Sequence, residues 1–250
     1  MSRRTFQERD RFSGQADSST GWQPLRPETL VDKVIQTVIE GAARGIILPG
    51  DRIVEVEVAQ KLGISRVPIR EALRILESQG LVVNEPYKGI RLTPVTRKRI
   101  DDLIEARISL ETSAIERAIS SGRNGAKDAQ LLLTIVNEME LMSVRGDSYG
   151  IGNADTNFHR VLVSLSGNDV LSQLWEMLSR QLTIIFGLST LAKPMPEIVG
   201  EHRRLVDEFR SGNMSAIAKE IDEHIRAQNQ AIDFVALIEK RKAERDAAQK

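Results

Sequence analysis

Three histidines and one aspartate carry the first chemical signal in this 250-residue sequence. Asp155 and His159, in the stretch DTNFHR, are four residues apart, so on a helix both point to one side. His202 and His224 complete the histidine count of the chain. Both sit near apolar positions: Leu205, Val206 and Phe209 follow His202, and Ile221 and Ile225 lie beside His224. An imidazole without a partner is costly in such surroundings. Imidazole and carboxylate are the usual ligands of zinc and other borderline divalent metals, and a helical bundle builds such sites from facing helices. On spacing alone, Asp155 and His159 equally fit a surface ion pair, and each lone histidine fits an ordinary packed helix. A shared site on Asp155, His159, His202 and His224 is one reading beside these.

A second group is cationic. Arg66 and Arg70 are also four apart, and Arg74 continues their stripe one turn later, opposite Leu73 and Leu76. An arginine in the major groove can bind guanine O6 and N7 bidentately, worth about 1–3 kcal/mol of discrimination between bases. Ser65 is a good N-cap, and Pro68 falls in the first turn, where its missing N–H costs nothing. The Ser65 hydroxyl and the N–H groups of that turn can hold a phosphate. Tyr87 and Lys88 mark the tip of a following hairpin. The competing reading is an amphipathic helix with a solvated arginine face.

These groups need elements to hold them. From Leu30 to Ile39, apolar residues recur at helical spacing, predicting a helix to about Arg44. LPGD (48–51) is a turn signal, Arg52–Val54 can pair as a strand, and EVEVAQKLG is a short helix stopped by Gly63. The arginine helix follows, with Ile69, Ala72, Leu73 and Leu76 inward. LVV (81–83) and IRLTPV (90–95) then flank a loop longer than two residues. Helix, short helix, helix and hairpin is the order of a winged helix-turn-helix. After Pro94 the pattern is all helical, with six helices expected near 97–120, 126–144, 153–165, 169–190, 196–210 and 214–240. The fold class expected is mainly α: an N-terminal winged helix-turn-helix domain (27–95) and a C-terminal all-α helical bundle (96–242). A flexible arm (1–26) and a charged tail (243–250) flank them.

Composition narrows the function. Hydrophobic residues at 41% and charged residues at 28% suit a globular chain. The absence of cysteine excludes disulfides, thiolate catalysis and cysteine-ligated zinc. No apolar run approaches the 18 residues of a membrane span, and the polar, basic N-terminal stretch lacks a signal-peptide core. A cytoplasmic protein with no membrane partner is expected. The net charge of zero hides an asymmetry: 17 Lys and Arg against 12 Asp and Glu in residues 1–99, then 18 against 23 in residues 100–250. A basic front suits a polyanionic partner.

GISRVPIREALRILESQGLV, with LPGDRI before it and GIRLTPV after it, resembles the DNA-binding signature of the GntR family of bacterial transcription regulators over about residues 28–95. The resemblance implies that Arg66 and Arg70 contact an operator and that Gly89 in the wing approaches the duplex. Val67 departs from the usual threonine, replacing a hydroxyl with methyl groups that can touch a thymine. Ser65, Arg66, Val67, Arg70, Arg74, Lys88 and Gly89 are the expected DNA-binding set. DTNFHRVLVSLSGN and EHRRLVDEF…KEIDEHI resemble the FCD effector domain of the FadR-like branch over about residues 97–240. That resemblance implies a divalent metal on Asp155, His159, His202 and His224, with zinc first and nickel, manganese or iron also suitable. It further implies a small carboxylate effector, for which Arg107 offers a bidentate partner; the alternative for Arg107 is an intrahelical pair with Glu111 or with its neighbours Asp102 and Glu105.

The function expected is therefore a homodimeric transcriptional regulator, a repressor, that binds a palindromic double-stranded operator under control of a small organic acid. Two rivals stand beside it: a winged-helix protein with a purely structural metal, and a metal-dependent hydrolase. The hydrolase reading lacks an evident general base, since Glu201 turns about 100° away from its neighbour His202 on a helix.

Overall fold

A computed structural model describes residues 29–189, 194–230 and 232–248. The expected arm and the last two residues of the expected tail lie outside the described residues. Within them are ten helices and one two-stranded sheet, so the chain is mainly α, with a winged helix-turn-helix ahead of a helical bundle.

α1 (Leu30–Ala43) begins with a capping box: the Thr29 hydroxyl accepts from the Asp32 N–H, and the Asp32 carboxylate accepts from the Thr29 N–H. Its buried face is Val34, Ile35, Val38, Ile39, Ala42 and Ala43. α2 (Glu55–Leu62) ends at Gly63 in the left-handed region (φ 65°), where an L side chain would be strained. α3 (Arg66–Ser78) buries Ile69, Ala72, Leu73 and Leu76 against α1, as the apolar spacing predicts. β1 (Val82–Glu85) pairs antiparallel with β2 (Gly89–Leu92), from Val82 opposite Leu92 to Glu85 opposite Gly89. Three residues close this wing, with Tyr87 (φ 64°) and Gly89 (φ 79°) both left-handed. Arg52 bridges Arg91, so the expected third strand is reduced to one pairing beside β2.

The bundle comprises α4 (Arg97–Ser120), α5 (Ala126–Arg145), α6 (Ser148–Ser164), α7 (Asp169–Ser189), α8 (Met195–Ser211) and α9 (Met214–Gln230). Phe158, Phe209, Ile217 and Ile221 lie at its centre, fully buried; each such side chain contributes about 1.5–3 kcal/mol by leaving water. Two expected boundaries move. α6 starts at Ser148 rather than 153, although Gly150 and Gly152 signal a break. Asp147 caps it by accepting from the Gly150 N–H at 2.9 Å, and buried Ile151 anchors the first turn. A Cβ on Gly150 would meet the Asp147 carboxyl at 2.5 Å and Met142 Sδ at 2.9 Å. The single helix expected over 214–240 is two. Asp233 accepts from the Val235 and Ala236 N–H groups and opens α10 (Phe234–Ala248), so residues 243–248 are helix and not tail.

α10 returns to the winged part. Ile238 of α10 and Ile184 of α7 are buried in the winged domain's own core cluster. Arg245 pairs with Asp51, and Lys242 donates to the Pro49 carbonyl at 2.8 Å, gripping the 48–51 turn. Arg44, the C-cap of α1, stacks over the Tyr149 ring of α6 at 4.3 Å. α7 packs on α1 through Gly187, and Gln181 donates to the Gln79 carbonyl at 3.1 Å.

Candidate functional site

Asp155 and His159 share one face of α6, one turn apart, as their spacing requires. His202 arrives from α8 and His224 from α9; the two helices are joined through Gly212, left-handed at φ 70°. All four side chains are buried, and one ligand atom from each lies within 4.8 Å of the others. The Phe158 ring stands nearly perpendicular to those of His159 and His202, with centroids 5.2 and 4.8 Å away.

The outer hydrogen bonds decide which nitrogen of each ring faces inward. His159 Nδ1 is 2.7 Å from a Glu111 carboxylate oxygen. That carboxylate's pKa is lowered to about 2, because His159 and Arg107 outweigh its burial. It is ionised at neutral pH and accepts, so Nδ1 carries the proton. His202 Nδ1 is 2.7 Å from the Ile198 carbonyl, which can only accept, so this Nδ1 is also a donor. His224 Nδ1 lies 3.4 Å from the Glu201 carboxylate. Burial pushes the His159 and His224 rings down, the latter to about 3, so both are neutral at pH 7.

Each neutral ring protonated at Nδ1 turns the Nε2 lone pair to the centre. His159 and His224 then face each other Nε2 to Nε2 at 3.2 Å. Moving the His224 proton to Nε2 would instead aim the Nδ1 lone pair at Glu201. His202 Nε2 is 3.1 Å from Asp155 Oδ1, yet His202 Nε2 and Asp155 Oδ2 have no hydrogen-bond partner among the described residues. Burial opposes the Asp155 charge, but His202, His159 and Arg107 hold its carboxyl well below the usual range. Three imidazole nitrogens and one carboxylate thus converge on one buried point. Three imidazoles and a carboxylate are a donor set that a divalent cation takes at its centre. The residues fit a metal.

Arg107 is fully buried on α4 and donates from Nε to Glu111 at 2.7 Å. The intrahelical pair foreseen from spacing is therefore present, and it lies against the histidine cluster. The guanidinium carbon is 5.8 Å from the Trp175 ring centre, and that ring is 6.0 Å from His159. Trp175 Nε1 is buried without a hydrogen-bond partner among the described residues. Sequence reasoning missed Glu111 as a neighbour of His159, since 48 residues separate them. It saw Glu201 turned away from His202 but not that it reaches His224.

On the winged part, Ser65 is the N-cap of α3 by position, but its hydroxyl makes no cap hydrogen bond. Val67 is 74% exposed, and Arg66, Arg70 and Arg74 are exposed. Glu55, at the start of α2, holds two of these arginines: Arg66 at 3.3 Å and Arg70 at 3.1 Å. The hydrogen bonds donated by Arg70 and Arg66 lower the Glu55 pKa. Glu55 was not foreseen; it lies 11 and 15 residues before its partners. Lys88 stands at the wing tip beside Glu85, and Tyr87 projects fully into solvent. A Cβ on Gly89 would touch the Arg52 guanidine at 3.4 Å.

Comparison with known proteins adds a lineage to this geometry. A family model described as "Bacterial regulatory proteins, gntR family" matches residues 30–92, and the FCD domain model matches residues 102–227. An uncharacterized HTH-type transcriptional regulator, YdhC of Bacillus subtilis, is 31% identical over 182 residues, covering 72% of this chain and 80% of that protein. A probable D-xylose utilization operon transcriptional repressor of Paenarthrobacter nicotinovorans is 26% identical, covering 81% and 88%. The solved structure of E. coli McbR/YncC superposes with a TM-score of 0.69 at 19% identity, covering 86% and 99%, which speaks for the fold.

Proposed function

This chain belongs to the gntR family of bacterial regulatory proteins, carries an FCD domain and is a transcriptional regulator, not an enzyme; on that premise we propose that it is a metal-loaded, organic-acid-responsive repressor acting as a homodimer. The observation that carries the proposal is the convergence of Asp155, His159, His202 and His224, all buried, with one ligand atom of each within 4.8 Å of the others. A divalent ion held there, zinc first and nickel, manganese or iron after it, supplies a cationic centre that a carboxylate can join. Arg107 and the Trp175 N–H flank His159 and give a small acid cationic and neutral donors beside that centre. Repression is favoured by the D-xylose regulator, whose name describes a repressor.

Ser65, Arg66, Val67, Arg70, Arg74, Lys88 and Gly89 form the proposed DNA contact, with α3 in the major groove and the wing at the backbone. Operator binding exchanges the Glu55 partners of Arg66 and Arg70 for guanine edges or phosphates. Exposed surface ion pairs contribute only about 0–1 kcal/mol, so the exchange costs little. A palindromic operator asks for a second copy. Leu110, Leu171, Leu174, Met177 and Leu178 line an apolar groove of about 720 Å³ between α4 and α7. Leu174 and Met177 are half exposed there, which favours that face for the dimer.

The proposed route from site to DNA is short. Helix α6, with two of the proposed ligands, begins beside Arg44 at the end of α1, and α9 leads to α10, which grips the 48–51 turn. An acid that draws α6 and α9 to new positions shifts the population of winged-domain placements, and so the spacing of two recognition helices. Selection of operator DNA from random sequence, with elemental analysis of the same sample, tests the reading. Enrichment of a palindrome by a protein carrying one metal per chain is expected. No enriched sequence, or no metal, would count against it.

A further inference from the structure

The carboxylate of Glu111 has two oxygens, and each is committed to a different donor. Oε1 accepts from Arg107 Nε at 2.7 Å and Oε2 from His159 Nδ1 at 2.7 Å, with all three side chains fully buried. Nothing but an acceptor at this point can keep the His159 proton on Nδ1, and only that tautomer leaves Nε2 free to ligate. We propose that Glu111 is the positioning residue of the metal centre, locking His159 as an Nε2 ligand and tying that ligand to Arg107. This rests on the metal reading given above.

The mechanism is one of counting acceptors. Both oxygens of a carboxylate accept, whereas a carboxamide of the same shape has one accepting oxygen and an NH2 group that only donates. In Glu111→Gln the single amide oxygen goes to the cationic Arg107, because a bond to a charged donor is the stronger. The amide N–H then faces His159 Nδ1 and drives its proton to Nε2, which removes the ligand lone pair. The Arg107→Met/Glu111→Gln double variant releases the amide oxygen for His159 and restores the ligating tautomer.

The test uses the full chain. Zinc affinity is measured by competition with a chromophoric chelator, the cobalt spectrum is recorded in the visible, and the His159 tautomer is read by long-range ¹H–¹⁵N correlation in metal-stripped protein. Glu111→Gln should weaken zinc about 10–100-fold, the range typical of partners behind a ligating histidine, and move His159 to the Nε2–H form. The double variant should recover most of the affinity. A merely structural role would lower thermal stability but leave the tautomer and the cobalt spectrum unchanged; that outcome overturns the proposal. Wild-type protein that binds no zinc overturns the metal reading itself, whereas wild-type binding matched within twofold by Glu111→Gln overturns the role of Glu111 alone.

Discussion

At Gly187 the bundle helix α7 closely approaches the end of α1 in the winged domain. A methyl group there would lie 2.6 Å from the Ala43 carbonyl oxygen, 2.8 Å from its Cβ and 2.9 Å from its Cα. Comfortable carbon contacts are about 3.5–4.0 Å, so Gly187→Ala needs roughly 1 Å of separation. Ala43 sits in the last turn of α1, and its offended atoms are backbone and Cβ. No rotamer change relieves the clash, so α1 must shift relative to α7. Overpacking of this kind costs about 1–3 kcal/mol.

The consequence is local in stability and wide in function. The proposed metal ligands lie on α6, α8 and α9 and not on the α1–α7 contact, so metal stoichiometry should stay at the wild-type value. Docking of the winged domain should weaken, because Ile184, one turn before Gly187, belongs to the winged core. For a domain of 60–100 residues each kcal/mol lowers the midpoint by roughly 4–8 °C, so calorimetry should resolve an early winged-domain transition. In operator titrations the acid-dependent change in affinity should shrink in Gly187→Ala. A variant with wild-type melting and an undiminished acid response would refute the coupling through this contact.

Further outcomes follow from the same geometry. Arg66→Ala and Arg70→Ala should each weaken operator binding by about 1–3 kcal/mol, roughly 5–150-fold, with a smaller loss on random DNA; anisotropy on both DNAs checks this, and equal losses would mark phosphate contacts instead. The metal-stripped protein should lose stability in mild acid. Burial lowers the His224 pKa to about 3 and lowers that of His159 as well, so below the ordinary value near 6.5 the unfolded chain binds protons that the folded chain does not. Their contribution is whole above pH 6.5 and declines as pH falls toward 3, with Glu111 adding to the loss below about 4.5. Urea midpoints in chelator at pH 7.5, 5.5 and 4.5 should fall in that order; a flat series would contradict the buried neutral imidazoles.

Much of this molecule is legible in its sequence because local patterns repeat the tertiary demand. Ile69, Ala72, Leu73 and Leu76 of α3 show their buried face by spacing alone, and Asp155 and His159 share a face for the same reason. What could not be read is long-range. Glu111 meets His159, Glu201 meets His224 and Glu55 meets two arginines only after helices pack, and periodicity carries no information about such meetings. The glycines of α6 signal a break locally, but burial of Ile151 and the Asp147 cap override them. Asp233 is an N-cap in the sequence, yet the helical periodicity around it conceals the break between α9 and α10. The grip of Arg245 on Asp51 joins positions 194 residues apart, beyond any local pattern.

The central claim is that one buried site governs the DNA-binding face. It is tested most directly by titrating operator DNA with the same protein in three states: metal-stripped, zinc-loaded, and zinc-loaded with a panel of small organic acids. The account predicts that at least one acid changes the operator affinity of the zinc-loaded protein tenfold or more, and has no such effect on the stripped protein. Equal affinity in all three states, across the whole panel, would contradict it.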